Sequence, residues 1–177
     1  MRALKISVLV VVALVVLVAI VGSLLPSEYR VERSALVEAP PELVFEQVNS
    51  FRSWDAWSPW IARDPSIENE FHGPAAGEGA KVTWTSDESG SGSQTIVVSE
   101  PPRRIETELD FGAVGTARAD WTFEPTDTGT RVTWGMTGDA AGPLGGYFAP
   151  MMDDWIGPDY EDGLARLADH AETLASR

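Results

Sequence analysis

His72 and His170 are the side chains in this sequence best suited to carry protons near neutral pH, and cysteine is absent, so thiol nucleophiles and disulfides are excluded. A hydrolytic triad needs a histidine base beside a nucleophile. His170 falls late in a helical pattern next to Asp169 and reads as a solvated helix residue. His72 closes a short strand-like segment ahead of Gly73-Pro74. It reads as an edge or turn histidine and stays as the weak catalytic candidate. A second cluster, Asp153, Asp154, Asp159, Glu161 and Asp162, has the side chains for a divalent cation but not the spacing of a metal loop. Carboxylates in the first turns of a helix are what its dipole favours, so neither metal nor cofactor is expected. Arg33 has the parity of the buried face of its strand, where it could reach a ligand carboxylate or pair with an acid of the core.

The stretch FRSWDAWSPW, residues 51–60, sets Trp54, Trp57 and Trp60 three residues apart in a chain with seven tryptophans. Two readings stay open. Large aromatic rings are usually core, and the same rings can wall an apolar cavity. The set of candidate ligand-binding residues is Trp54, Trp57, Trp60, Trp84, Trp121, Trp134, Tyr147, Met151, Met152 and Trp155. Flexible methionines beside flat rings suit an irregular apolar guest.

These residues must be positioned by a chain with two unlike parts. Residues 6–25, ISVLVVVALVVLVAIVGSLL, carry no charge and are long enough as a helix to cross the roughly 30 Å hydrocarbon core of a bilayer. Arg2 and Lys5 precede them. The run exceeds an ordinary signal-peptide core and lacks a clear cleavage site, so residues 1–26 are expected to be an uncleaved single-pass transmembrane anchor. Cleavage after Val21-Gly22-Ser23 is the alternative. The short charged N-terminus favours a cytoplasmic start, which puts the following domain outside the cytoplasm at the cell membrane.

Residues 27–177 form one domain that keeps all 27 acidic residues of a chain whose formal net charge is −14. Such a surface repels phosphate, so no nucleic-acid partner is expected, and docking on anionic lipid by charge is disfavoured.

Residues 29–37 read as a strand and 42–51 as a short helix, followed by the tryptophan segment as a second short helix or turn broken near Ser58-Pro59. Period-two alternation then dominates. Ile105, Thr107, Leu109 and Phe111 form one apolar face, Ala117, Ala119, Trp121 and Phe123 a second, and Val132, Trp134 and Met136 a third. These are antiparallel strands with one wet and one buried side. Shorter strands are expected at 67–72, 80–86 and 93–99, separated by Gly-rich turns that match no phosphate-binding loop. Asp127-Thr128-Gly129 makes a hairpin turn. Tyr160, Leu164, Leu167, Ala171 and Leu174 form the stripe of a final helix that starts or kinks at Gly157-Pro158. The fold class is α+β: a curved antiparallel sheet of about seven strands around a long C-terminal helix.

That order, together with FRSWDAWSPW, DTGTRVTW and IGPDYEDGLARL, resembles the START/polyketide-cyclase-like (SRPBCC) superfamily over roughly residues 28–175, and more narrowly its membrane-anchored bacterial members. The resemblance implies a helix-grip fold with a deep apolar cavity between sheet and C-terminal helix. It fixes no reaction, since the superfamily holds lipid carriers, receptors, cyclases and co-chaperone-like domains. A cyclase would need inward polar groups to steer a polyketide enolate. Thr107, Tyr147, His72 and Arg33 are the candidates, and they contain no strong acid/base pair. The leading expectation is therefore a membrane-anchored binder of an apolar small molecule or lipid. A cyclase or dehydratase using His72 or Tyr147, and an interaction module whose cavity is filled by its own side chains, are the alternatives.

Overall fold

The computed structural model describes every residue except Met1 and Ala141; Met1, the first residue of the expected anchor, thus lies outside the described residues. Helix α1 (Arg2–Leu24) contains a 20-residue stretch, Lys5–Leu24, long and apolar enough to cross a membrane. Its valine and leucine side chains are mostly uncovered by protein. An apolar helix inside a soluble core would be covered.

Three residues after α1, strand β1 (Glu28–Val37) begins the domain. Then come α2 (Pro41–Val48), a 3-10 turn (Phe51–Ala56) and α3 (Pro59–Arg63). Six strands follow: β2 (Glu68–His72), β3 (Lys81–Ser86), β4 (Gly90–Glu100), β5 (Arg104–Asp110), β6 (Thr116–Thr126) and β7 (Gly129–Asp139). A short α4 (Gly145–Phe148) and a 3-10 turn (Ala149–Met151) lead into α5 (Met152–Ala175).

The strands form one antiparallel sheet in the order β1-β7-β6-β5-β4-β3-β2. Hairpins link β2 through β7 in sequence, and β1 closes onto β7 because its Val31 and Val37 need the same buried face as Val132, Trp134 and Met136. The alternation in β6 holds as expected: Ala117, Ala119, Trp121 and Phe123 are buried. α5 crosses the concave side, its Tyr160, Leu164, Leu167 and Ala171 facing the sheet, and α2 adds Val44, Phe45 and Val48. This is the helix-grip arrangement.

Register defines two ends of the sheet. Glu28 pairs with Asp139, Ala117 with Gly138, Asp110 with Thr116, and Ser86 with Gly90, so these residues share the end from which α1 departs. Val37, the Asp127–Thr128 turn and His72 lie at the other. α5 runs between the two, and near its C-terminus Glu172 Oε1 accepts the Glu38 N–H at 3.0 Å.

The final helix begins at Met152, five residues before Gly157-Pro158, and Pro158 sits inside it, so of the start and the kink open at that pair the start is not what the fold shows. Proline lacks the N–H that would bond the Asp154 carbonyl, and both residues face outward, where water can serve that carbonyl. Packing of the half-buried Met152 and Ile156 against the core favours the extra turn. Arg33 spans the interruption: its guanidinium meets Asp153 at 2.8 Å and Glu161 at 2.7 Å, one on each side of Pro158. The core-acid alternative for Arg33 is close to what the fold shows, except that the acids belong to the exposed side of α5.

Candidate functional site

Why the tryptophan segment folds as it does follows from Ser58-Pro59. Trp54 and Trp57 belong to the 3-10 turn and its end; Pro59 then opens α3, and the Ser58 Oγ accepts the Ile61 N–H at 3.5 Å. The three rings therefore leave from two elements rather than from one helix face. Trp54 and Trp57 are buried, with indole N–H groups donated to the Val48 carbonyl at 3.0 Å and the Gln47 carbonyl at 3.2 Å. Trp60, half-buried on α3, stands edge-on to Trp134 at 5.6 Å between ring centres.

Behind them runs a stack. Trp121 and Trp134 are cross-strand partners with ring centres 4.2 Å apart, and Tyr160 of α5 lies against Trp134 at 3.7 Å. The stack fastens sheet to helix. Burial pushes the Tyr160 hydroxyl well above the usual phenol range, so it is neutral at any physiological pH. Trp121 Nε1 is buried without an acceptor among the described residues, and the Trp134 indole faces the Tyr160 hydroxyl, whose ionised form it favours against the larger effect of burial.

On the side of this stack toward α3 lies a cavity of about 330 Å³. That is the lower end of the roughly 300–1,000 Å³ range for small-molecule sites. Trp54, Trp134 and Tyr160 close its inner side. The sheet contributes Val82, Trp84, Leu109, Ala119 and Met136, the β5–β6 connection contributes Phe111, and the helices contribute Trp60, Ile61 and Ile156. The lining is overwhelmingly apolar.

Its polar groups are few and mostly engaged. Gln94 donates its amide N–H to the Thr107 hydroxyl at 2.9 Å, and both residues are buried. The Asp159 carboxylate is held by Arg63 at 2.5 Å. Ser89 gives its hydroxyl to Asp64 at 2.6 Å. Asp64, itself buried, also receives the Ser66 N–H at 3.0 Å, the Ser66 hydroxyl at 2.6 Å and the Ser86 hydroxyl. Those hydroxyl and N–H donors hold the Asp64 carboxyl well below the usual carboxylate range. The cluster ties the end of α3 to the β3–β4 turn, a polar knot beside the cavity that the sequence reading missed. SDESGSG read only as a turn; the signal was its serines facing an aspartate across 22 residues, which only the fold brings together.

Of the candidates chosen from the sequence, Trp54, Trp60, Trp84 and Trp134 line the cavity. Trp57 and Trp121 are buried behind it. Met152 is half-buried against the core, whereas Tyr147, Met151 and Trp155 are exposed and away from the cavity wall. His72 ends the edge strand β2, as the edge or turn reading has it, and does not face inward as a cyclase role would need: strand alternation turns Asn69 and Phe71 toward the interior and His72 outward, where it shares a 3.1 Å hydrogen bond with the Thr83 hydroxyl. Phe51, Gln94, Phe111 and Ile156 were not singled out as cavity residues. Phe111 and Ile156 could have been found from their periodicity. No group of three or more metal-ligating side chains occurs among the described residues.

Solved structures share this architecture at low identity, a likeness of fold alone. A Staphylococcus aureus protein of unknown function superposes with a TM-score of 0.66 at 15% identity, covering 85% of this chain and 97% of its own. Ara h 8.0201 gives 0.61 at 15% identity, covering 82% and 99%. The di-domain ARO/CYC StfQ of the steffimycin biosynthetic pathway gives 0.65 at 13% identity, covering 85% of this chain and 52% of that one, so the chain spans about half of that protein. No curated protein sequence matches. The family described as "Polyketide cyclase / dehydrase and lipid transport" matches residues 28–172, the whole sheet and nearly all of α5, and the chain belongs to it.

Proposed function

We propose that residues 27–177 form a binding domain for a hydrophobic small molecule or lipid, and that residues 1–26 anchor it in the cell membrane as a single pass with the N-terminus cytoplasmic. The observation that carries the reading is the cavity itself: about 330 Å³, walled by tryptophan and aliphatic side chains, with the Asp159 carboxylate paired to Arg63 and the Ser89 hydroxyl given to Asp64. Asn69 and the carbonyl oxygen of Gln94, whose amide N–H is given to Thr107, are in the wall to orient a polar end of the guest. The family description names lipid transport beside cyclase and dehydrase, so it allows a guest that is carried as well as one that is converted. Cyclisation or dehydration needs a positioned acid or base. His72 points outward, Tyr147 is remote from the cavity, and Asp159 is paired with Arg63.

Native mass spectrometry of the full chain, purified in mild detergent from its expression host, tests this. A co-purifying apolar molecule near one-to-one stoichiometry is expected. Ala119→Phe, which puts a ring into the cavity from β6, should remove it while the circular dichroism spectrum shows the fold intact. The same adduct on both proteins would place the guest elsewhere. A bound species whose mass changes on incubation with the protein would favour the enzyme.

A further inference from the structure

The domain does not simply hang from its anchor. Tyr147 of α4 donates its hydroxyl to the Val18 carbonyl at 3.2 Å, six residues before the end of α1. At 1.5 Å per residue that contact lies about 9 Å along the helix from its exit. Two glycines let the elements meet so closely. A Cβ on Gly146 would lie 2.8 Å from the Gly22 carbonyl, and one on Gly22 would be 2.7 Å from the Tyr147 ring. α4 is thus packed alongside the final turns of α1 rather than above them.

If α1 crosses a bilayer with its 20-residue apolar stretch, little of that stretch can be spared from the roughly 30 Å hydrocarbon core. Whatever packs beside Val18 then lies at the depth of the headgroup and acyl boundary. The side chains around it fit that depth. Leu25, Leu144, Tyr147, Phe148, Met151 and Trp155 are exposed, with Trp155 at 51%. They are uncovered by any other element, and they include the Trp and Tyr that favour membrane interfaces. Val114, at 73% the most exposed apolar side chain of the domain, lies in the β5–β6 connection at the same end of the sheet.

The cavity reaches that end too. Trp84, Ser89 and Phe111 line it from the strand ends nearest α1, and Ile156 lines it from α5 next to the outward-facing Trp155.

Building on the anchored-binder reading, we infer that this face is seated in the boundary of the bilayer that α1 crosses, which brings the Phe111–Ile156 end of the cavity onto the lipid. The occupant of the apolar face is the bilayer. Its hold is hydrophobic rather than electrostatic, because the chain carries a formal charge of −14 and acidic side chains such as Asp153 and Asp154 flank the patch.

The absence of cysteine allows a direct test. Phe148→Cys, Val114→Cys and, at the opposite end of the sheet, Thr128→Cys are each labelled with an environment-sensitive fluorophore in the full chain, reconstituted into phosphatidylcholine vesicles. Labels at 148 and 114 should be roughly tenfold less accessible to aqueous iodide than the label at 128, and quenched by doxyl groups on the lipid, as for side chains in the acyl boundary. All three sites are exposed, so folding is not at stake. Equal iodide quenching at the three positions would overturn the inference, as would a mature chain lacking α1. The guest measurement separates the two ideas: lipid-buried labels without any bound guest would sink the binding reading and leave this face in place. A retained guest with water-exposed labels would do the reverse.

Discussion

Asp64 is the residue whose environment departs furthest from what its neighbours in sequence suggest. A carboxyl whose pKa falls on folding contributes stability above its unfolded value of about 3.9, and that contribution disappears as pH drops through the lower folded value. The depressed Asp64 therefore stabilises the domain at neutral pH and ceases to do so in strong acid. Asp64→Asn should lower the urea midpoint at pH 7, and the gap to the wild-type protein should close as pH falls below about 4. A gap independent of pH would mean that shape, not charge, holds the serine cluster. The residue scale is also where the sequence was least legible. Trp54, Trp57 and Trp60 were visible as a group, but which ring meets the cavity depends on the break at Ser58-Pro59 and on Trp134 and Tyr160, both distant in sequence. The inward alternative for His72 stayed open beside the edge reading because a five-residue strand offers too few alternating positions to fix its face.

At the scale of elements, periodicity carried most of the fold. The β5, β6 and β7 faces and the α5 stripe were readable because each buries one side against a single layer. The start of α5 stayed open between a beginning and a kink at Gly157-Pro158, since Pro158 is a proper first-turn residue and local preference argues for a helix beginning there. Tertiary contacts of Met152, Ile156 and Arg33 override that preference. The seat of α5 on the sheet depends on Gly163. A Cβ there would lie 2.8 Å from the Trp134 ring and 3.2 Å from Pro59, and Trp134 is pinned between Trp121 and Tyr160. Gly163→Ala gains about 1 kcal/mol of helix preference, but overpacking a core costs about 1–3 kcal/mol. A net loss of thermal stability is expected. A higher melting temperature would show that the stack yields.

For the molecule as a whole, whether α1 stays attached decides what kind of protein this is. If α1 stays attached, the full-length chain should remain with membranes through high-salt and alkaline carbonate washes, since neither extracts a spanning helix. Recovery of a soluble form starting near Ser23 or Leu24 would identify a cleaved signal sequence and remove the bilayer from the account. The sequence announced the apolar helix but not its packing against α4. Gly22 read as part of a possible cleavage site and Tyr147 as a ligand-binding candidate, and only the fold joins them, with Gly146, in a helix contact.

The stack of Trp121, Trp134 and Tyr160 has an optical consequence. Two indoles held 4.2 Å apart with ring planes 19° from parallel form a chromophore pair, whose coupled transitions give a dichroic signal set by the relative orientation of the two rings. Trp134 is both a member of that pair and part of the cavity wall. A guest pressing on its ring alters the coupling, so the unlabelled protein carries its own spectroscopic record of whether the cavity is filled.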